Sequence, residues 1–433
     1  MKIAVFGLGK LGCPIAAVFA SKGHDVTGVD VNARAIDLVN RGQAPVEETG
    51  LQNLLATLGE RLRATKDGEG AVAASDLSVV IVPTPSEPSG AFSLSIMLDA
   101  AAVVGRGLKK HAGYHVVVIA STVLPGAMDR DIIPAIEKAS GKRHNADFGI
   151  CYSPEFVALG NVIHDMLNPD ILLIGEGDAR AGAVVEGFYR GVVDNTPSFL
   201  HMSIVNAEVT KLSVNTYVTT KISFANMLAD ICERIPGADA RIVTAAIGRD
   251  SRIGSKFIAP GAAYGGPCFP RDNKALSFLA RSLGGHARLA ETTDEVNRDQ
   301  SVRLAEIAAR NLPAGGRVGI LGMSYKPDAV IAEESAGYHL ALGLAERGIP
   351  AIAYDPVAMD HARHLLGDRI SFAASAEDCL AQASVVVIAT PWKSFAGLHY
   401  RAGQVVIDCW KSIDPARLGD GVTYIALGRG PSL

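Results

Sequence analysis

The chain has 433 residues, of which 48% are hydrophobic and 20% charged, and its formal net charge is −4 at pH 7. This length predicts two or three domains with the composition of a globular enzyme. The absence of a basic block argues against a nucleic-acid partner, and no apolar stretch is long enough to predict a membrane-spanning helix.

Six cysteines are scattered along the chain without a CxxC pair. The segment from Met1 to Gly7 has the pattern of a strand entering a tight turn rather than of a secretory leader. We therefore expect a cytoplasmic protein with reduced thiols and no metal site.

The first predicted element is an apolar strand that runs into Gly7-Leu8-Gly9-Lys10-Leu11-Gly12 and then a helix, and Asp30 ends the next strand. In this arrangement the glycines permit a tight turn, a close approach of pyrophosphate, and helix packing, while the helix N-terminus favours the phosphates. Asp30 would bind the ribose hydroxyls and repel a 2′-phosphate, which predicts NAD rather than NADP. The alternative is a relic fold that binds no cofactor.

Three later strands in this half end in polar residues. Thr84 lies in Pro-Thr-Pro, Thr122 in Ser-Thr-Val, and Glu155 in Ser-Pro-Glu-Phe156. Because α/β sheets bind ligands at the carboxyl ends of their strands, these residues are site candidates. Glu155 is either a general base for hydrolysis or an ordinary acid at a helix N-terminus.

Three strand patterns recur in the same order in the second half of the chain. Segments 2–9, 24–30 and 78–85 match segments 317–324, 349–355 and 384–391, with helix-length segments between them. This repeat predicts two βαβ domains with parallel sheets. The second copy lacks the full glycine fingerprint, so we expect it to bind a different ligand.

Residues 206–235 contain neither Gly nor Pro before Pro236, which predicts one long helix that is apolar on most sides and therefore buried. Such a helix is a candidate subunit interface. Lys211 and Asn215 are four residues apart on it, hence on one face. They either stabilise an oxyanion or, for Lys211, reach solvent along the helix.

Cys268 lies in the sequence Tyr-Gly-Gly-Pro-Cys-Phe-Pro-Arg271-Asp272. The neighbouring Arg271 favours a thiolate, which is the nucleophilic form. A lone cysteine is more often a small buried hydrophobe, but the glycines and prolines here favour a reactive thiol. A reactive thiol beside a hydride acceptor predicts oxidation to an acid through a covalent intermediate.

Together these motifs resemble those of the UDP-glucose/GDP-mannose dehydrogenase family over essentially the whole chain. The resemblance rests on the Gly7, Thr122, Glu155, Lys211 and Cys268 motifs and on two shorter ones, Arg252-Ile-Gly and Tyr325-Lys326-Pro. It implies two Rossmann-like, doubly wound parallel-sheet domains joined by a long central helix and a helical dimerisation region. The expected domains are 1–200 for NAD, 201–310 for dimerisation and 313–433 for a nucleotide sugar.

The family oxidises a sugar C6 alcohol to a carboxylate in two steps, and the resemblance assigns a role to each motif. Cys268 would be the nucleophile, while Lys211, Asn215, Asp272, Glu155 and Thr122 would complete the catalytic set. Gly7, Leu8, Gly9, Leu11, Gly12, Asp30, Thr84, Thr122 and Arg271 would bind NAD. The substrate positions would be Glu155, Phe156, Lys211, Asn215, Arg252, Phe257, Gly261, Gly265 and Lys326, with Arg252 reaching the partner subunit's site in a homodimer.

The chain departs from the family pattern at five places. At one of them Ala35, with Arg34 beside it, takes the position five residues after Asp30 where the family commonly has a basic residue. Pro267 and Arg271 replace Ser and Lys around the cysteine, and Pro267 argues against an N-acetylmannosamine substrate. A cofactor-contacting Arg near position 334 is absent, because the sequence there is Glu333-Glu334. The C-terminal Asp-x-Arg motif is Asp-Cys-Trp410-Lys411, which leaves Lys411 or no residue as the basic donor.

The resemblance thus implies an NAD-dependent nucleotide-sugar 6-dehydrogenase, with UDP-glucose as the expected substrate because it is the commonest in the family, and GDP-mannose or a UDP-N-acetyl sugar as alternatives. A two-electron hydroxyacid dehydrogenase would also pair a Rossmann domain with a helical Lys and Asn, but would not need Cys268. A nucleotide-sugar sensor without turnover is the third alternative.

Overall fold

The computed structural model describes residues 1–432 and divides into two compact units, Met1–Ser213 and Val214–Leu433. Each unit is built around one β-sheet. The three-domain division expected from the sequence remains a prediction.

The first unit contains an eight-stranded sheet in the order β3-β2-β1-β4-β5-β6-β7-β8. Strands β1 to β6 are parallel, β7 is antiparallel to β6, and β8 is parallel to β7. The strands are Lys2–Phe6, Asp25–Val29, Leu62–Thr65, Leu77–Val80, Val116–Ile119, Gly149–Tyr152, Ile171–Glu176 and Ser198–Ser203. The added pair β7 and β8 was not foreseen from the repeat.

Eight α-helices of this unit connect the strands. They are α1 Gly12–Ser21, α2 Ala33–Asn40, α3 Leu51–Leu58, α4 Gly68–Ala73, α5 Ser95–Lys110, α6 Ile133–Ser140, α7 Val162–Leu167 and α8 Ala179–Arg190, with a 3₁₀ turn at Gly59–Arg61 and a π-helical turn at Met128–Ile132. Because both faces of the sheet are covered, its central strands are continuous apolar runs: every residue of β4, β5 and β6 is buried.

The second unit contains a six-stranded, all-parallel sheet in the order β11-β10-β9-β12-β13-β14. Its strands are β9 Val318–Leu321, β10 Ala351–Tyr354, β11 Ser371–Phe372, β12 Val385–Ile388, β13 Val405–Asp408 and β14 Thr423–Ala426. The helices are α10 Ala240–Ile247, α11 Phe269–Ser282, α12 Arg288–Arg310, α13 Ala336–Glu346, α14 Met359–Leu366 and α15 Ala376–Gln382, with 3₁₀ turns at Gly367–Arg369, Lys393–Gly397 and Pro415–Arg417.

The repeat predicted from the sequence is confirmed, and so is the fold class. The matched segments form β1, β2 and β4 in the first sheet and β9, β10 and β12 in the second. Six strands of each sheet share the order 3-2-1-4-5-6, in which the crevice at the carboxyl edge binds ligands.

The long predicted helix is α9, Ile204–Cys232, which begins in the first unit and ends in the second. The expectation that it is buried on all sides is wrong for this chain. Tyr217, Phe224, Met227 and Ile231 are 65%, 44%, 42% and 45% exposed. An apolar helix favours the removal of these side chains from water, but its composition does not identify the surface that would cover them.

Candidate active site

The glycine-rich turn before α1 has the geometry of a dinucleotide site. Gly7 has a φ of +95°, and a Cβ atom there would lie 2.2 Å from the Ile81 carbonyl oxygen. A Cβ atom on Gly12 would lie 1.9 Å from the Gly7 oxygen, whereas nothing lies within 4 Å of a Cβ atom on Gly9. Gly7 and Gly12 are thus required by backbone packing, and Gly9 leaves open space for a pyrophosphate at the helix N-terminus.

Asp30 lies directly after β2, next to this turn. Its carboxylate accepts hydrogen bonds from the Leu8 and Asn32 amides, at 2.6 and 2.7 Å, and the residue remains half-buried. The Leu8 side chain is buried against Gly28, and Leu11 packs on the core. The turn and the acid fit the adenosine part of NAD.

Thr84 and Thr122 lie together at the carboxyl edge of the first sheet, as the sequence predicted. The Thr84 hydroxyl donates a hydrogen bond to the Thr122 carbonyl oxygen at 2.8 Å. Glu208, fully buried on α9, accepts hydrogen bonds from the Gly126 and Met128 amides at 2.7 and 3.0 Å. The role of Glu208 was not predicted from the sequence, although a Glu three residues before Lys211 on an apolar helix was a usable signal.

Glu155 and Lys211 are neighbours in the first unit. The Lys211 ammonium donates to the Glu155 backbone carbonyl at 2.5 Å and lies 4.4 Å from the centre of the Phe156 ring. Lys211 is 8% exposed, so the alternative of a solvated side chain is excluded.

The Glu155 carboxyl has a perturbed pKa. Burial raises its pKa to about 7, although a 3.3 Å hydrogen bond from the Tyr189 hydroxyl and the charge of Lys211 act in the opposite direction. A carboxyl that titrates near neutral pH suits a general base. Tyr189 is fully buried on α8, and no sequence motif pointed to it.

In the second unit, Asn215 pairs with Asp272. The Asn215 amide donates to the Asp272 carboxylate at 2.6 Å, joining α9 to α11. Asp272 is 3% exposed. The sequence proposed both residues as site candidates but did not predict that they contact each other.

Cys268 is exposed and directly precedes α11, whose N-terminus favours a thiolate. The other five cysteines are buried, and burial raises the pKa of Cys13, Cys151 and Cys379 to about 12. The alternative that Cys268 is a buried hydrophobe is therefore wrong. Among the cysteines, only Cys268 combines access with a favourable electrostatic position.

The loop before Cys268 packs against the carboxyl edge of the second sheet. A Cβ atom on Gly265 would lie 2.0 Å from the Glu334 carbonyl oxygen, and one on Gly261 would lie 2.5 Å from the Trp410 ring. Gly266 has a φ of +81° and faces the Tyr325 ring. These contacts leave no room for larger residues.

Three buried amide side chains hold the same loop. Asn226 pairs with the Gly261 amide and the Ala262 carbonyl, at 2.9 and 3.3 Å. Asn297 pairs with both backbone groups of Tyr264, at 2.8 and 2.9 Å, and Gln300 donates to the Gly261 carbonyl at 2.9 Å. None of the three was predicted from the sequence, although polar residues on the buried faces of α9 and α12 were an available signal.

Two residues at positions that differ from the family pattern have charged or titratable partners in the structure. Glu334, in the left-handed region with a φ of +53°, pairs with His339 at 2.9 Å. Lys411 pairs with Asp239 at 2.5 Å, so its ammonium is already engaged. Pro267 and Arg271 are partly buried beside Cys268.

The remaining substrate candidates lie on exposed or edge positions. The side chain of Arg252 is 87% exposed and forms a bidentate pair with Asp250. Phe257 is 52% exposed with a φ of +63°. Lys326 follows β9, partly buried, 6.0 Å from the centre of the Tyr325 ring. A role for Arg252 in a partner's site stays a prediction.

Three family models match the chain. They describe the NAD binding domain (residues 1–193), the central domain (205–299) and the UDP binding domain (319–415) of the UDP-glucose/GDP-mannose dehydrogenase family. The chain belongs to the UDP-glucose/GDP-mannose dehydrogenase family.

Named relatives agree with this assignment. The chain is 37% identical to the UDP-glucose 6-dehydrogenase AglM of Haloferax volcanii, over 92% of this chain and 93% of that protein. It is 34% identical to the GDP-mannose 6-dehydrogenase of Pseudomonas putida, over 82% and 81%. A UDP-glucose dehydrogenase structure from Pyrobaculum islandicum matches with a TM-score of 0.89 and 34% identity, over 99% and 97%.

Membership of this dehydrogenase family makes the protein an NAD-dependent oxidoreductase, and the predicted enzyme class and cofactor are confirmed. Within residues 1–432, no helix is long and apolar enough to cross a membrane. The same residues contain no group of three or more His, Cys, Asp or Glu side chains placed to hold a metal ion. The cytoplasmic location stays a prediction.

Proposed function

We propose that the protein is a UDP-glucose 6-dehydrogenase, which oxidises the sugar C6 alcohol to a carboxylate and forms UDP-glucuronate. The observation that carries this proposal is the exposed Cys268 thiol at the N-terminus of α11, on a loop that packs on the carboxyl edge of the second sheet. A simple alcohol oxidation would not need such a thiol. The relative AglM, named as a UDP-glucose 6-dehydrogenase, supports the choice of sugar.

The proposed reaction removes four electrons as two hydrides. Bound NAD would accept one hydride in each oxidation, so each sugar would consume two NAD. Between the oxidations, the Cys268 thiolate bonds to the C6 aldehyde carbon, and the carbonyl oxygen gains a proton to form a thiohemiacetal. After the second oxidation this adduct is a thioester. Water adds to the thioester carbon and gives up a proton, and the C–S bond breaks. Cys268 is released as a thiolate, and C6 becomes the carbon of the carboxylate.

The other candidates supply binding and proton transfer. Glu155, with its pKa near 7, would take a proton from the attacking water. Lys211 and Asn215 would stabilise the oxyanions, and the hydrogen bond to Asp272 would fix the orientation of the Asn215 amide. Thr122 would position a water, and the Gly261–Gly265 loop and Lys326 would bind the nucleotide sugar.

NADH formation with limiting sugar tests the proposal. We expect two NADH per UDP-glucose and a uronic acid product from the purified protein. GDP-mannose and UDP-N-acetyl sugars should be tried in the same panel, because a GDP-mannose 6-dehydrogenase is also a relative at 34% identity. Two NADH from one of those sugars alone would change the substrate. A yield of one NADH would favour the two-electron dehydrogenase, and binding without NADH would favour a sensor.

Replacing the thiol separates the chemistry from binding. Cys268→Ala should form no net acid, while Cys232→Ala, which removes a buried thiol at the end of α9, should retain the two-to-one yield. Full acid production by Cys268→Ala would overturn the thioester route.

We also propose that the enzyme is a homodimer formed through α9 of the second unit. Its support is the row of exposed apolar side chains Tyr217, Phe224 and Ile231, which recur every seven residues and so share one face. A monomer rarely exposes a large contiguous apolar surface, and such a face is typical of an interface.

A further inference from the structure

The only two tryptophans of the chain follow neighbouring strands of the second sheet. Trp392 lies four residues after β12 ends at Ile388, and Trp410 two residues after β13 ends at Asp408. Both side chains are partly buried. This edge is where parallel α/β sheets bind ligands, next to the point where the strand order reverses between β9 and β12.

The Trp410 ring is held in one orientation. Its indole nitrogen donates to the Ala389 carbonyl at 2.9 Å, its backbone amide donates to Asp408 at 3.0 Å, and the Arg241 guanidinium donates to its backbone carbonyl. The six-membered ring lies against Gly261, in the loop that leads to Cys268. With its nitrogen bonded inside the protein, the partly buried ring can contact a ligand only through its apolar carbon atoms.

The charged side chains around Trp410 already have partners, so a ligand would be recognised there by the ring rather than through an ion pair. Lys411 pairs with Asp239, and Arg241 is bound to the Trp410 carbonyl. A cation lies on the same sheet edge after β9, where Lys326 is partly buried. Strands β9 and β13 are separated by β12, so they lie about 10 Å apart. An anionic group near Lys326 and a flat ring near Trp410 together match the two ends of a nucleoside diphosphate.

We infer that the Trp410 ring stacks on the base of the substrate's nucleoside diphosphate and is a specificity-determining residue of this enzyme. The inference rests on the proposed function, because it describes the nucleotide end of the same substrate. Stacking between a base and an aromatic ring contributes enough to change affinity several-fold.

Titration with UDP tests this directly, because the chain has two tryptophans. UDP should quench tryptophan fluorescence in the wild type and in Trp392→Phe, since Trp410 remains in both. In Trp410→Leu the quench should disappear, and the Kd for UDP measured by calorimetry should rise at least about fivefold. Inorganic pyrophosphate, which has no base, should bind to the wild type and to Trp410→Leu with equal affinity.

Wild-type affinity for UDP in Trp410→Leu, or a quench that is lost in Trp392→Phe, would overturn the inference. If Trp410→Leu fails to fold, the quench in Trp392→Phe still tests whether UDP lies near Trp410. Trp410→Phe, which keeps an aromatic ring, should bind UDP within about twofold of the wild type. The two proposals can also fail separately. If Trp410→Leu loses affinity for UDP but the wild type forms no NADH with any nucleotide sugar, the stacking inference is supported and the proposed function is wrong. Absence of UDP binding to the wild type would overturn both.

Discussion

Individual side chains in this protein obtain their chemistry from burial and from one or two neighbours. Six thiols share one covalent structure, yet Cys268 alone among them is exposed. Glu155 is an ordinary carboxyl whose pKa is raised to about 7 because burial disfavours its charge. The Tyr189 hydroxyl donates a hydrogen bond to the ionised form and so limits that rise.

Removing the Tyr189 hydroxyl should therefore raise the pKa of Glu155 further. If ionised Glu155 is the base for thioester hydrolysis, kcat falls on the acidic side of its pKa. In Tyr189→Phe that acid limb should move to higher pH by about half a unit to one unit, given a long bond of 3.3 Å. The pH profile of kcat measures the shift.

Tyr400→Phe is the matched control for this prediction. It removes another buried hydroxyl, one that donates to the Phe395 carbonyl at 2.9 Å in the second unit. Its acid limb should coincide with that of the wild type. An unchanged limb in Tyr189→Phe would show that Glu155 does not control this step, or that Tyr189 does not influence it.

At the scale of elements, α9 serves two purposes. One side carries Glu208, Lys211 and Asn215, each with a polar partner in its own unit. Another side exposes apolar residues in the single chain. A large exposed apolar face of this kind is typical of a surface that contacts a partner.

Placing a charge on that face should separate the subunits. Phe224→Glu would bury an unpaired carboxylate in the proposed interface, so the dimer should dissociate at micromolar concentration. Leu283→Glu changes a residue that is 77% exposed at the end of α11 and should leave the assembly unchanged. Sedimentation equilibrium distinguishes the two outcomes, and a monomeric wild-type protein would contradict the proposal.

At the scale of the whole molecule, stability depends on buried polar groups in the sheets. His115, which precedes β5, is fully buried. Its Nε2 accepts a hydrogen bond from the Ser78 hydroxyl at 2.8 Å, and its Nδ1 donates to the Ser75 carbonyl at 2.9 Å. The bond that Nε2 accepts requires a neutral ring, whereas the bond that Nδ1 donates would persist in the protonated ring. Burial outweighs that second bond and lowers the pKa of His115 to about 4.

The free energy of unfolding should accordingly fall in acid. His115 titrates near pH 6.5 in the unfolded chain and near 4 in the folded one, so the unfolded state binds the extra proton between those values. The contribution of His115 is fully present above pH 6.5. It is lost progressively as pH falls toward 4, and amounts to about 3 kcal/mol.

Urea unfolding of the wild type and His115→Gln at several pH values measures this dependence. The glutamine amide keeps a donor and an acceptor but cannot be protonated in this range. The variant should lose less stability than the wild type between pH 6.5 and 4. Parallel curves for the two proteins would assign the acid sensitivity to other groups.

Much of the fold was predictable because its signals are local. Apolar runs that end in glycine or a polar residue recur in chain order, and that order was sufficient to predict two parallel sheets. The extra strands β7 and β8 were not predicted because they have no counterpart in the repeat. The site motifs were found for the same reason: Gly7, Glu155 and Cys268 each lie in a distinctive short sequence.

By itself, the sequence determined the fold class, the NAD fingerprint and the identity of the candidate nucleophile, since each depends on residues close together in the chain. The tertiary structure decided which groups meet: Tyr189 with Glu155, Asn215 with Asp272, and Trp410 with Gly261. These partners are 34, 57 and 149 residues apart. Such contacts arise only when packing brings distant segments together, and no local pattern records them.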